Sequence, residues 1–176
     1  MKDKINVLAI SGSLRHDSSN NKIINWIASI VPGKVEFNIY DGLGSLPHFD
    51  GEEGNDEVEK WRKTIKEADG VLICTPEYAF GVPGSLKNAL DWTVSSGEFY
   101  EKPVALITAS SVGEKGHASL LNTLTAITAK MNDDVKLLIP FIRSRFKTDG
   151  DLDPATQETI KGVIDKLIHL IELENS

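Results

Sequence analysis

Four stretches of the chain, Val7 to Ile10, Val71 to Cys74, Val104 to Thr108 and Val135 to Ile139, are dominated by Val, Ile and Leu. Runs of this kind predict strands buried on both faces, as in a parallel sheet. Val35 to Tyr40 alternates apolar and polar residues instead, which predicts an edge strand with one wetter face. Between these runs apolar residues recur at helical spacing: Ile23, Ile24, Ile27 and Val31; Val58, Trp61 and Ile65; Leu86, Ala89 and Leu90; Leu120, Leu121, Leu124 and Ile127; Ile160, Val163, Ile164, Leu167 and Ile171. The last helix has a clear start, with Asp153 placed to cap it and Pro154 at its first position. Gly42 to Asn55, with its Gly, Pro47 and acidic residues, reads as a long surface loop.

Strand and helix alternate throughout, so the pattern predicts an α/β protein: a flavodoxin-like, doubly wound, five-stranded parallel sheet of order 2-1-3-4-5 with helices on both faces. One domain is expected to span residues 1–176. Ligands of such sheets bind beyond the carboxyl ends of the strands. Three loops therefore matter most: Ser11 to Asn20, Thr75 to Gly84 and Ala109 to Gly116.

Composition narrows the function. The formal net charge of −7 and the lack of a basic stripe argue against a nucleic-acid partner. No apolar run has transmembrane length, and the one after Lys2 and Lys4 is too short for a signal peptide. With a single cysteine, Cys74, there is no internal disulfide and no cysteine metal cluster, so a cytoplasmic setting is expected. Cys74 lies in a buried-strand pattern, where a thiol behaves as a small hydrophobe. His16, His48, His117 and His169 share no metal-ligand spacing. Asp149 to Asp153 superficially resembles a calcium loop, but no glycine occupies its sixth position and Ile160 stands at its twelfth, so it is expected to be a turn that delivers the Asp153 cap.

The first loop, within VLAISGSLRHDSSNNKI, is dense in hydroxyls. It lacks the lysine and spacing of a P-loop, the repeated glycines of a dinucleotide fingerprint and the acidic residues of a phosphoacceptor. Capping alone needs one polar residue. What the loop suits is a small terminal phosphate, as in flavin mononucleotide (FMN), held by Ser11, Ser13, Ser18, Arg15, Asn20 and backbone N–H groups. The second loop, TPEYAFGVPG, offers flat faces at Tyr78 and Phe80, with Gly81 and Gly84 allowing close approach to a planar ring.

The pairing of Gly12-Ser13-Leu14-Arg15, Ser18 and Asn20 with Pro76-Glu77-Tyr78 and then Pro83-Gly84-Ser85-Leu86-Lys87-Asn88-Ala89-Leu90-Asp91-Trp92 resembles the NADPH-dependent FMN reductases, which include quinone, chromate and azo-dye reductases. The resemblance implies that Ser11, Ser13, Leu14, Arg15, Ser18 and Asn20 hold the FMN phosphate and that Pro76, Glu77, Tyr78 and Phe80 lie along the ring. Ala79 stands where the family usually has Asn, which leaves only backbone contact there. Backbone N–H groups from Glu77 to Gly81, and from Ser110, Ser111 and Gly113, are expected to meet ring nitrogens and oxygens. The side chain of Glu77 reads equally as a general acid or base and as a loop brace.

The resemblance further implies hydride transfer from NADPH or NADH through FMN to a small-molecule electron acceptor, in ping-pong fashion, with no side-chain catalyst required. It implies a homodimer or homotetramer as well, with Trp92, Val94, Phe99 and Tyr100 as candidate contacts. A flavodoxin-type electron carrier or a flavin-binding sensor, neither turning over NAD(P)H, is the alternative.

Overall fold

The computed structural model of the protein describes residues 4–175. Its strands are β1 (Ile5–Ser11), β2 (Val35–Tyr40), β3 (Gly70–Thr75), β4 (Val104–Ala109) and β5 (Lys136–Ile139). They form one sheet of order β2-β1-β3-β4-β5, parallel at every pairing. The helices are α1 (Ser19–Ile30), α2 (Asp56–Glu67), α3 (Gly84–Asp91), α4 (Glu114–Ala126) and α5 (Pro154–Glu174).

Successive strand residues point to opposite faces, and both faces are apolar. Val7 and Ala9 of β1, with Leu72 and Cys74 of β3, pack under Ile23 and Ile27 of α1 and Ile164 and Leu167 of α5. Leu8 and Ile10, with Val71 and Ile73, pack under Trp61 and Ile65 of α2, Leu86 of α3 and Leu120 of α4. This two-sided burial explains why β3 and β4 read as unbroken hydrophobic runs, and both are buried along their whole length.

The last strand departs from its pattern. Val135 belongs to a short 3-10 turn, and β5 begins at Lys136 and is mostly half-buried. As the outermost strand it pairs with β4 alone, so an exposed edge tolerates the lysine that a central strand would exclude. Asp153 caps α5 as its sequence indicates, accepting from Thr156 N at 3.0 Å, with Pro154 in the first turn.

The segment from Gly42 to Asn55 is a loop, opened by a 3-10 turn at Gly42–Gly44 and tied to α3. Asn88 Nδ2 and Trp92 Nε1 both donate to Pro47 O, at 2.8 and 2.9 Å. Arg62 anchors its far end, donating from Nη1 to Glu53 at 2.7 Å and from Nε to Trp92 O at 3.0 Å. Two of the proposed subunit contacts are thereby corrected: Trp92 is 1% exposed and Phe99 0%, both inside the chain's own core. Val94 and Tyr100 do face outward.

The β1–α1 loop starts with a close backbone approach. Gly12 N donates to Cys74 O at 2.9 Å, and a Cβ on Gly12 would lie 2.1 Å from Thr75 Oγ1. Only glycine lets this loop leave the sheet directly beside the end of β3.

Candidate active site

A cleft of about 520 Å³ opens at the carboxyl ends of β1, β3, β4 and β5, a volume typical of small-molecule sites. From the β1–α1 loop, Ser13, Arg15, Ser18 and Asn20 line it. Ser18 is the N-cap of α1, its Oγ accepting from Asn21 N at 3.1 Å; its hydroxyl proton stays free to donate. No acidic residue lies in the first turn of α1. The N–H groups of Ser19 and Asn20 have no partner among the described residues, the situation in which a helix start favours an anion. Ser13 Oγ accepts from Arg15 N at 3.3 Å and likewise keeps its proton. Arg15 is exposed and forms no ion pair among the described residues, whereas Lys22, which also lines the cleft, pairs with Asp17 at 3.0 Å. Lys22 holds the Asp17 carboxyl below its usual range.

Two members of the motif are placed differently. Ser11 Oγ accepts from Ser13 N at 3.3 Å and donates to Ser13 O at 3.2 Å, so its hydroxyl braces the loop. Ser11 and the exposed Leu14 line a second cleft of about 360 Å³ on the β2 side, together with Tyr40 and Asp41. Asn20 is buried. Its Nδ2 donates to Ala109 O at 3.2 Å and its Oδ1 accepts from Cys74 Sγ at 3.3 Å, which ties the loop to β3 and β4. Burial pushes the Cys74 thiol far above its ordinary pKa and keeps it protonated.

From the β3–α3 loop, Pro76, Glu77 and Tyr78 line the cleft, while Ala79, Phe80 and Gly81 lie beyond its lining. Tyr78 and Gly81 exchange backbone hydrogen bonds of 3.0 and 2.9 Å around a two-residue tip. The tip residues, Ala79 and Phe80, have φ of 48° and 61°. Left-handed conformation costs a residue with a Cβ roughly 1–2 kcal/mol, and Asn or Gly tolerates it better. Replacing Ala79 by Gly is therefore expected to raise stability by about 0.5–1 kcal/mol, with Ala79→Asn in between. Thermal unfolding of the ligand-free protein checks this; a lowered midpoint for both variants would contradict it. Phe80 is exposed, with Lys115 Nζ 4.2 Å from its ring centroid.

Ser110 and Ser111 of the β4–α4 loop complete the far wall. Ser110 Oγ accepts from Glu77 N at 3.2 Å, and Ser110 N donates to Ile139 O at 3.2 Å. Gly113, with φ of 97°, lies outside the lining, and its N–H is directed at Glu77 Oε1. The expectation that backbone N–H groups of Glu77, Tyr78, Gly81, Ser110 and Gly113 face a ring is thus corrected, because each is engaged within the protein. Those of Ala79, Phe80 and Ser111 make no hydrogen bond among the described residues.

Sequence reasoning missed Arg143, Ile142 and Phe146, which reach the cleft from the loop after β5. The available signal was positional: that loop also follows a strand's carboxyl end. Among the described residues, no cluster of side chains suits a metal ion and no helix is long and apolar enough to cross a membrane.

The strand order, with a polar cleft between the β1 and β3 loops at the topological switch, defines a flavodoxin-like protein. The chain belongs to the NADPH-dependent FMN reductase family, whose profile matches residues 5–139. It is 34% identical over 175 residues to a quinone reductase of Escherichia coli, covering 95% of this chain and 92% of that one. It is 32% identical to an NADPH azoreductase of a Bacillus species, covering 92% and 89% of the two chains. Among solved structures, the flavoenzyme NAD(P)H:(acceptor) oxidoreductase FerB of Paracoccus denitrificans superposes with a TM-score of 0.84 at 28% identity, over 96% and 97% of the chains. The protein is an oxidoreductase that uses FMN and NAD(P)H.

Proposed function

We propose that the protein binds FMN in the 520 Å³ cleft and passes hydride from NADPH or NADH to a quinone or azo acceptor, one substrate leaving before the next enters. The supporting observation is the difference between the two helix starts at this cleft. The α4 start is occupied by the Glu77 carboxylate, while the α1 start is open and flanked by Ser13, Ser18 and Arg15, which forms no ion pair among the described residues. A terminal phosphate suits the latter site in charge and donor geometry. FMN, when bound, supplies the hydride-accepting and hydride-donating chemistry. The protein's part is to hold the phosphate at α1, to let the ring extend past the lining at Tyr78 to the N–H groups of Ala79 and Phe80, and to leave one ring face open beside Tyr78.

The acceptors follow from the relatives' names and from the exposed, flat Tyr78 at the rim. We further propose a single domain in a homodimer or homotetramer, with exposed Val94 and Tyr100 in the contact, and a cytoplasmic setting that keeps Cys74 reduced. Purified protein with FMN should oxidise NADPH or NADH in the presence of a benzoquinone, with parallel double-reciprocal lines as the quinone is varied. An electron carrier would oxidise NAD(P)H negligibly, and intersecting lines would replace the ping-pong order by a ternary complex.

A further inference from the structure

Glu77 leaves the chain in the loop after β3, yet its carboxylate is bound to a different element. Oε2 accepts from Gly116 N at 2.6 Å, in the first turn of α4, and Oε1 from Gly113 N at 3.4 Å, just ahead of it. The N-cap position of α4 is Gly113, which has no side chain to cap with. Glu77 supplies that cap from another loop, and a carboxylate at a helix start is favoured by the exposed N–H groups and the helix dipole. Its own N–H donates to Ser110 Oγ, so backbone and side chain grip the same β4–α4 segment. The fit is tight: a Cβ on Gly116 would lie 2.9 Å from Glu77 Cγ and 3.0 Å from Gly81 O.

We propose that Glu77 is a positioning residue that clamps the 76–81 turn to α4 and thereby holds the strained Ala79–Phe80 tip where its free N–H groups meet the flavin ring. The inference rests on the flavin site proposed above. Among the described residues Glu77 touches no phosphate donor, and backbone hydrogen bonds between Tyr78 and Gly81 close the turn beyond it. The Glu77 N–H holds the turn to Ser110 and the exposed Phe80 ring meets Lys115 Nζ at 4.2 Å, which leaves the carboxylate as the hydrogen-bonded link from the turn to α4 among the described residues. The clamp also places the carboxylate's charge on a helix start.

The test is Glu77→Gln, which replaces one accepting oxygen by an NH2 group that cannot accept from Gly113 or Gly116. FMN and riboflavin affinity should both fall by the same factor, about ten-fold, because ring contact is lost and phosphate contact is kept. The midpoint potential of FMN bound at saturation should move towards that of free FMN, a readout that a purely structural loss would leave in place. Gly116→Ala, which pushes on Glu77 Cγ from the other side, should reproduce both effects, and the double variant should be no worse than either single one. Unchanged riboflavin affinity and potential in Glu77→Gln would overturn the clamp, as would a loss confined to FMN. Wild-type protein that binds neither flavin would overturn the flavin site itself, and the clamp with it.

Discussion

Arg15→Ala is expected to weaken FMN binding ten- to a hundred-fold and to leave riboflavin binding where it was. A hydrogen bond to a charged group contributes roughly 1.5–3 kcal/mol, which corresponds to that range of affinity. Arg15 is exposed and free of ion pairs among the described residues, so its removal strands no buried charge. Its backbone N–H, which donates to Ser13 Oγ, survives the substitution and keeps the loop in shape. Lys22 is a poor substitute, since it is already paired with Asp17. Riboflavin shares the ring and ribityl chain and lacks the phosphate, so a fold defect would weaken both ligands and a phosphate contact only one. Titration of both flavins into wild-type and variant apoprotein makes the comparison. An unchanged FMN affinity with a raised KM for NADPH would assign Arg15 to the nicotinamide cofactor instead.

Trp92→Ala is expected to cost about 3–5 kcal/mol of folding stability, the range for truncating a buried aromatic. Trp92 is 1% exposed, donates from Nε1 to Pro47 O at 2.9 Å and meets Phe49 edge-on at a centroid distance of 5.0 Å. Truncation opens a cavity under the 42–55 loop and frees one of its ties to α3. For a chain of this size the melting midpoint should drop by roughly 6–20 °C. Tyr100→Ala, at a position 69% exposed, should leave monomer stability within about 0.5 kcal/mol. Unfolding at several protein concentrations is the check. A Trp92→Ala loss that vanished on dilution of both proteins would return Trp92 to a subunit interface.

Much of the fold is legible in the chain because its determinants are local. A strand buried on both faces must be almost wholly apolar, and β3 and β4 are, with Thr75 and Thr108 as their buried polar residues. A half-buried edge must alternate, and Val35 to Tyr40 does. Those patterns need no partner to be recognised. Trp92 and Phe99 are different: pattern alone marks them as large and apolar near a helix end, which suits a core and an interface equally. Only the tertiary packing decides for the core, and at Trp92 the deciding contact is the 42–55 loop folding back over α3. At β5 the apolar run suggests burial on both faces although the predicted order already places it at the edge, and with β4 as its single neighbour it is mostly half-buried.

The site divides along the same line. By itself the sequence determined that a hydroxyl-rich loop follows β1, that an aromatic turn follows β3 and that both lie at one end of a parallel sheet, because strand direction and helix capping are set within a dozen residues. It could not determine which polar groups are free. Ser11 and Ser18 are chemically alike, yet one is spent on Ser13 and the other opens into the cleft. Asn20 is committed to Ala109 and Cys74, Glu77 to Gly113 and Gly116, and Ser110 to Glu77. Each partner lies tens of residues away along the chain. A hydrogen bond directed inward is unavailable to a ligand, so the choice between brace and binder belongs to the packing of four loops against one another, and only the tertiary structure makes it.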